Sequence, residues 1–311
     1  MSRLYIGIDG GGTRTRAVLA GSDLRERGRG ASGPANVATR PLPRVLETLE
    51  EAITDALASA GVRRADVARV SCGLAGLESS GASGRLLAAL EDRWGAGRVL
   101  VTTDARAALA GATDGPVDEP GVVLIAGTGA IAFGRGPDGR EERAGGWGHV
   151  IGDEGSGYAM ARQGLAAAVR HLDGRGPKTA MTDLLFTAEG THSAAELVQK
   201  IHGSDGGAGD VAAYFPVVLG AARLGDAEAI RILTEAGTEL ALAATTVVKK
   251  LGLENAAFKV STVGGVFAAG ELLLGPLREG LHRVAPRALL GPPAHPAEIG
   301  AIRLVLAREV A

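Results

Sequence analysis

Hydrophobic and polar positions follow two different periods along this chain. Short apolar runs at residues 4–8 and 16–20 flank Asp9 and a run of three glycines, a pattern that predicts a β-hairpin with a glycine-rich turn. Between Pro41 and Ala60 the apolar residues recur at helical spacing, which predicts an amphipathic helix. The same alternation continues, with strands expected at 67–73 and 98–102 and helices at 84–94 and 104–112. It predicts an α/β fold whose mainly parallel sheet begins with an antiparallel hairpin.

The hairpin pattern returns later in the chain. Residues 122–133 again form an apolar run, a turn at Gly127-Thr128-Gly129 and a second apolar run. A third strand–glycine unit at residues 258–267 contains the pair Gly264-Gly265, and a helix is expected after it, from Gly270 to His282. Helical periodicity dominates residues 156–253 and 298–308. We therefore predict an internal repeat of structure, in which the strand–turn–strand pattern recurs but the amino-acid sequence does not.

Composition and charge exclude several classes of protein. A chain of 311 residues with 46% hydrophobic content is long enough for two domains, each with its own core. The net charge of −2 gives no general attraction to nucleic acid or to an anionic membrane, and no apolar run is long enough to span one. One cysteine, Cys72, excludes internal disulfides and cysteine-based metal clusters within a single chain. We expect a cytoplasmic protein that binds neither nucleic acid nor membranes.

The opening turn is suited to bind an anion. Its residues Gly11, Gly12 and Thr13 carry little side-chain bulk, so that backbone N–H groups can approach a phosphate closely. Asp9, at the end of the strand before the turn, is suited to hold a hydrated Mg²⁺, which prefers carboxylate and phosphate oxygens. No Gly-Lys-Ser/Thr sequence closes the turn, so it is not a Walker-type loop. The alternative is a glycine-rich turn without a ligand.

The three glycine-rich turns are more informative together than singly. Two hairpins that face each other would hold the β- and γ-phosphates of a nucleotide from opposite sides. Gly264 and Gly265 would admit the flat face of a base, or a phosphate at a helix N-terminus. Phosphoryl transfer also needs a base for the attacking hydroxyl, and Asp104, between a strand and a helix, is the natural candidate. Its alternative role is that of a helix N-cap.

The stretch Gly145–Gly157 combines many small residues with Trp147, His149, Asp153 and Glu154. Ordering such a loop costs conformational entropy, so a binding role is favoured over a simple connection. Carboxylates beside an aromatic ring suit a sugar, whose hydroxyls need acceptors and whose ring has an apolar face. His149 by itself is more simply explained as a packed or rim histidine.

Four of these segments resemble the N-acetylglucosamine kinases of the BadF/BadG/BcrA/BcrD ATPase family, within the sugar kinase, heat-shock-70 and actin superfamily. The resemblance runs from residue 3 to about residue 307, and the motifs occur in the family's order. The segments are Asp9–Thr13, Thr102–Ala105, Gly127–Gly129 and Gly145–Ser156.

The resemblance implies two ribonuclease-H-like (actin-like ATPase) domains with a cleft between them that closes over Mg-ATP and an amino sugar. The N-terminal domain is expected at 1–118 plus 296–311, and the C-terminal domain at 119–295. A cytoplasmic homodimer is also implied.

The resemblance further assigns roles to single residues. Asp9 would serve the Mg²⁺ site and Asp104 would be the base for the sugar 6-hydroxyl. Gly11, Gly12 and Thr13 would form the first phosphate turn and Gly127, Thr128 and Gly129 the second, with Gly264 and Gly265 near the adenosine. The sugar would be bound by Asn36, Asp104, Gly146, Trp147 and Asp153.

One departure from the family leaves the acceptor open. Ile131 stands where the animal enzymes have an asparagine that reads the sugar, and an apolar side chain cannot hydrogen-bond an acetamido group. N-acetylglucosamine is the first expectation, with glucosamine, N-acetylmuramic acid and glucose as alternatives.

Two other classes of function remain to be compared. The ATPase activators of the same branch bridge an iron–sulfur cluster with two cysteines per subunit, whereas this chain has only Cys72. A sugar sensor without kinase activity is the third class.

Overall fold

The protein is described by a computed structural model that covers residues 3–77, 81–203 and 207–310. The chain divides into two compact units, Met1–Val123 with Gly291–Ala311, and Leu124–Leu290. Here they are called unit 1 and unit 2. Among the described residues, no helix combines the length and apolar character needed to cross a bilayer.

The regular elements confirm the predicted alternation of strands and helices. The strands are β1 (Leu4–Gly10), β2 (Thr15–Gly21), β3 (Glu26–Ser32), β4 (Val67–Leu74), β5 (Val99–Thr103), β6 (Gly121–Ala126), β7 (Ala130–Arg135), β8 (Glu141–Gly145), β9 (Lys259–Val263) and β10 (Leu289–Gly291). The α-helices are α1 (Leu42–Ala60), α2 (Ser83–Trp94), α3 (Asp104–Ala110), α4 (Gly157–Leu172), α5 (Met181–Glu189), α6 (Ala194–Gly203), α7 (Ala208–Ala212), α8 (Phe215–Arg223), α9 (Ala227–Lys250), α10 (Glu271–Val284) and α11 (Ala297–Val310).

The sheet of unit 1 has five strands in the order β3-β2-β1-β4-β5. The pairs β1–β2 and β2–β3 are antiparallel, whereas β1–β4 and β4–β5 are parallel. Helices α1 and α2 cover one face with a core that includes Leu49, Ile53 and Leu90. Helix α11 covers the other face with Ile299 and Ile302. The carboxyl ends of β1, β4 and β5 therefore lie at one edge of the sheet, where Asp9 and Asp104 are found.

The second sheet repeats the first. Its five strands have the order β10-β9-β6-β7-β8. Read from β8 to β10, this is the order of the first sheet: β6 corresponds to β1, β7 and β8 correspond to β2 and β3, and β9 and β10 correspond to β4 and β5. The predicted internal repeat is thus confirmed, and it extends beyond the hairpin to the whole sheet.

Strand β3 was not foreseen, because its sequence alternates charged residues with glycines rather than with apolar residues. A Cβ atom on Gly28 would lie 2.3 Å from Ala56 O, and one on Gly30 would lie 2.0 Å from Ala52 O. The two glycines therefore allow the backbone of α1 to pack directly against β3, the edge strand of the sheet. Close backbone approach takes the place of the apolar side chains that usually mark a strand.

Arg303 of α11 ties the C-terminal end of α3 to the segment that follows it. Its guanidinium is buried and donates to Ala110 O at 2.6 Å, and to Thr113 O and Gly115 O. Removal of the guanidinium leaves these carbonyls without their donor, so we expect Arg303→Met to lower the free energy of unfolding by about 2 to 4 kcal/mol. Urea denaturation measures this change. Arg308→Met, an exposed position on the same helix, is the control, and equal effects of the two variants would contradict the prediction.

Candidate active site

Asp9 lies at the end of β1 and is paired in register with Arg16 of β2 and Gly73 of β4. The distance from Asp9 Oδ2 to Arg16 Nη1 is 3.9 Å. The turn that follows is closed by a hydrogen bond from Gly11 N to Arg14 O. The carboxylate thus stands at the base of the first glycine-rich turn, as the sequence predicts.

Gly73 brings Asp104 close to Asp9. A Cβ atom on Gly73 would lie 3.5 Å from the Cα of Asp104 and 2.6 Å from the Cβ of Ala107. Partners in register on adjacent parallel strands direct their side chains to the same face, so this position faces the same way as Asp9. Only a residue without a side chain allows α3 to begin here, and the result is a pair of neighbouring carboxylates.

The pKa of Asp9 is raised from 3.8 to about 7. Burial is the largest cause, followed by the negative charges of Asp104 and Glu298, and Arg16 and Arg14 oppose the shift. Near neutral pH the site therefore holds a proton or a compensating cation. This is the electrostatic property expected of a site that binds a divalent cation.

Asp104 is the first residue of α3 but not its N-cap. The cap is Thr103, whose Oγ1 accepts a hydrogen bond from Arg106 N at 3.1 Å. The Oδ1 atom of Asp104 accepts from its neighbour Ala105 N at 2.9 Å. The alternative structural role considered for Asp104 is therefore filled by Thr103.

The residues around Asp9 fit a hydrated Mg²⁺. In the described parts of the chain, no three His, Cys, Asp or Glu side chains converge as a complete metal site. Mg²⁺ is commonly bound through one or two carboxylates, several waters and the phosphates of a substrate. One half-buried carboxylate with two negative neighbours matches that arrangement.

Three glycines of the turns leave open space where a side chain would be. A Cβ atom on Gly12, Gly127 or Gly265 would meet nothing within 4 Å, and none of the three has a positive φ. Neither packing nor backbone conformation therefore requires glycine at these positions. Open space over exposed amides is what a phosphate or nucleotide needs in order to approach the backbone.

Asn36 lies beside the first turn. The loop around it is held by hydrogen bonds from Ala35 N to Gly11 O and from Val37 N to Ala75 O. Its Oδ1 accepts from Ala38 N at 2.9 Å, which directs the side chain back onto its own loop. Asn36 is thus adjacent to the glycine-rich turn that follows Asp9. The NH₂ group of its side chain is the part that can donate to a ligand.

In unit 2 the second turn is joined to the tryptophan loop, which we define as Gly146–Ser156. Gly146 N donates to Ala130 O at 2.8 Å, and Gly157 N donates to Gly127 O at 2.7 Å. The residues predicted for phosphate and for sugar are therefore connected by backbone hydrogen bonds at both ends of the loop.

Gly264 lies against the same turn. Its φ is +122°, and a Cβ atom there would lie 2.1 Å from Ala126 O. The backbone thus requires glycine at 264, whereas Gly265 faces open space. The helix expected from Gly270 is confirmed, because α10 begins at Glu271; a 3₁₀ turn at Gly265–Ala269 separates it from the glycine pair.

Asp153 and Trp147 have opposite environments within the tryptophan loop. Asp153 is only 7% exposed, has a φ of +64°, and accepts hydrogen bonds from the backbone of Ala130 and Gly148. Trp147 is 63% exposed, and the Arg143 guanidinium stands 4.3 Å from the centre of its ring. Asp153 therefore stabilises the loop through hydrogen bonds to its backbone, whereas the ring of Trp147 is exposed and can contact a ligand.

His149 has a packing partner, as expected. Its ring meets that of Tyr158 edge-on, with 4.8 Å between the centres. Both residues line a cavity of about 500 Å³ between the tryptophan loop and helices α4 and α9.

Glu298 is a component of the site that the sequence did not reveal. It is 1% exposed and contributes to the raised pKa of Asp9. A glutamate among the apolar residues that begin α11 was the available signal, but an acidic residue in the first turn of a helix is common.

Comparison with known proteins agrees with this geometry. The model of the BadF/BadG/BcrA/BcrD ATPase family matches residues 6–301. The N-acetylmuramic acid/N-acetylglucosamine kinase of Clostridium acetobutylicum is 33% identical over 264 residues, 85% of each chain. The N-acetyl-D-glucosamine kinase of Dictyostelium discoideum is 29% identical over 81% of each chain.

Structural comparison gives the same result. A crystal structure of a proposed N-acetylglucosamine kinase from Chromobacterium violaceum is 28% identical, with a TM-score of 0.77 over 98% of this chain and 99% of that one. The two repeated sheets are the sheets of two actin-like ATPase domains. The chain belongs to the BadF/BadG/BcrA/BcrD ATPase family.

Proposed function

We propose that the protein is an ATP-dependent kinase that phosphorylates the 6-hydroxyl of an amino sugar, with N-acetylglucosamine as the first candidate. The observation that carries the proposal is the pair of carboxylates, Asp9 and Asp104, beside a glycine turn whose space is open. Two neighbouring carboxylates allow one to serve a cation and the other to accept a proton. Membership of an ATPase family and the kinase relatives support the same reaction.

Unit 1 supplies the base. As the sugar O6 attacks the γ-phosphorus, Asp104 accepts the hydroxyl proton, and the bond from that phosphorus to the β–γ bridging oxygen breaks, which leaves ADP. When bound at Asp9, Mg²⁺ would neutralise charge on the phosphate oxygens. Gly11, Gly12 and Thr13 would bind phosphate through backbone amides, and Asn36 would donate to the sugar.

Unit 2 supplies the remaining contacts. Gly127, Thr128 and Gly129 would bind phosphate, and Gly265 would leave room for the adenosine. Trp147 would lie against the apolar face of the sugar ring. Asp153 would act mainly by holding the tryptophan loop in place, because its carboxylate is already engaged with backbone amides.

Ile131 bears on the choice of sugar. It pairs with Gly145 across β7 and β8, and a Cβ atom on Gly146 would lie 2.8 Å from its Cδ1. An apolar side chain cannot hydrogen-bond the acetamido group, so recognition of an N-acetylated sugar would have to come from other residues. The similarity to N-acetylglucosamine kinases, and not Ile131, makes N-acetylglucosamine the first candidate.

The test is an assay of ADP release with Mg-ATP and N-acetylglucosamine, N-acetylmuramic acid, glucosamine or glucose. Phosphorus NMR of the product establishes whether the phosphate is on O6. We expect turnover with an N-acetylated sugar. Turnover with none of the four sugars would refute the proposal, and sugar binding without turnover would favour a sensor.

No observation favours an activator that holds an iron–sulfur cluster. Cys72 is buried within β4, and burial raises the pKa of its thiol to about 12. A protonated, buried thiol is a poor metal ligand. We also propose a cytoplasmic homodimer, which size-exclusion chromatography with light scattering will test.

A further inference from the structure

Glu298 lies close to Asp9 because α11 begins against β1. A Cβ atom on Gly7 would lie 1.8 Å from Glu298 O and 2.7 Å from Ile302 Cγ1. Gly7 and Asp9 are two residues apart on one strand, so they face the same side of the sheet. The first turn of α11 therefore lies on the face that carries the Asp9 carboxylate.

The charge of Glu298 is only partly compensated. Its Oε1 accepts from Arg29 Nη1 at 3.1 Å, but Arg29 also donates to both oxygens of Glu26, at 3.0 and 2.6 Å. The other oxygen, Glu298 Oε2, is buried and has no hydrogen-bond partner among the described residues. The Glu298 side chain is only 2% exposed, whereas that of Arg29 is 48% exposed.

A buried carboxylate oxygen without a partner is unfavourable unless a positive charge or a water satisfies it. Packing alone does not account for a glutamate here, because the surrounding residues of α11 are apolar. The site that can supply the missing positive charge is the cation site of Asp9, which lies on the face of β1 that the first turn of α11 packs against.

We propose that Glu298 is a positioning residue for the divalent cation, which it attracts by its fixed charge and holds through a water that its Oε2 accepts. The inference rests on the proposed use of Mg-ATP. Glu298 would act through Asp9 and the hydration shell of the cation rather than as a direct ligand.

The test is direct cation binding, without sugar or turnover. Mn²⁺ is titrated into the protein with saturating ADP and followed by electron paramagnetic resonance. Glu298→Gln retains an oxygen that accepts from Arg29 but removes the charge. We expect the affinity for Mn²⁺ to fall by about tenfold, the size of effect typical of groups that support a metal ligand. In the kinase assay the KM for sugar should not change.

Two further variants separate charge from structure. Arg29→Gln removes the positive partner of Glu298, so the charge mechanism predicts an affinity for Mn²⁺ that is equal to or tighter than that of the wild type. A purely structural role of the ion pair predicts the opposite, weaker binding in both variants. Glu309→Gln changes an ion-paired glutamate at the far end of the same helix, and it should leave Mn²⁺ binding unchanged.

The proposal is overturned if Glu298→Gln binds Mn²⁺ within twofold of the wild type, or if Arg29→Gln weakens binding as much as Glu298→Gln does. It is also overturned if the wild type binds no Mn²⁺ with ADP. Should Glu298→Gln fail to fold, Arg29→Gln still decides between tighter and weaker binding. If the wild type binds Mn-ADP but phosphorylates no sugar, the proposed function fails while this inference stands.

Discussion

Asp104→Asn will lower kcat by about 10²- to 10⁴-fold, the contribution expected of a general base. Asparagine has the same shape, and its oxygen can still accept from Ala105 N, so that the start of α3 should be retained. What is lost is the ability to take a proton from the sugar hydroxyl. Steady-state kinetics with Mg-ATP and the preferred sugar measure the effect.

The pattern of the loss distinguishes a base from a structural residue. The KM values for sugar and ATP should change little, and the thermal midpoint of unfolding should stay near that of the wild type. Asp92→Asn, an exposed aspartate of α2, is the matched control and should retain full activity. A kcat within fivefold of the wild type in Asp104→Asn would contradict the assignment of the base.

Asp104→Asn has a second expected consequence, because its charge raises the pKa of Asp9. The variant should bring the pKa of Asp9 down, which NMR of the labelled carboxyl group can follow. This shift tests whether the two carboxylates are close together, and it is independent of whether Asp104 acts as the base.

The strands that form the site were predictable because their signals are local. An apolar run that ends at a glycine-rich turn marks β1, β6 and β9 in the sequence, and each lies within two residues of its expected position. The repeated order of the two sheets follows from the same pattern. Asp9 was found because it stands at the end of such a strand, and Asp104 because it lies between the apolar strand β5 and a helix.

The features that were missed depend on contacts between distant parts of the chain. Strand β3 is recognisable only through the approach of α1 to Gly28 and Gly30. The inward position of Asp153 results from hydrogen bonds to Ala130 and Gly148, which a sequence pattern does not contain. Similarly, Glu298 is 289 positions from Asp9 in the chain, and only the packing of α11 on β1 brings them together. The roles assigned to the single site residues stay predictions.

The glycines show the same difference between what a local sequence pattern indicates and what depends on distant contacts. In the sequence, Gly264 and Gly265 are equivalent. In the structure, Gly264 is required by its φ of +122° and the nearby Ala126 O, whereas Gly265 has no neighbour that excludes a side chain. A pair of glycines can therefore combine a structural requirement with a ligand requirement, and only the surroundings separate them.

The Asp9→Asn variant will be more stable than the wild type in the absence of cations, although it removes the proposed cation ligand. The folded pKa of Asp9, about 7, exceeds the value of 3.8 expected for the unfolded chain. A raised pKa favours the folded state fully below about pH 4, and this contribution is lost as pH rises towards 7. At pH 8 the wild type carries a half-buried charge beside Asp104 and Glu298, and asparagine does not.

The expected difference at pH 8 is about 2 to 4 kcal/mol in favour of Asp9→Asn, and it should vanish near pH 4. Arg16 and Arg14 reduce it, since they favour the charged form of Asp9. Urea unfolding in EDTA at a series of pH values measures the difference, with Asp92→Asn as the control that should show no such pH dependence. Mg²⁺ with ADP should reverse the order, because the cation stabilises only the protein that retains the carboxylate. A variant that is less stable than the metal-free wild type at pH 8 would mean that the Asp9 carboxylate supports the fold, and not a cation.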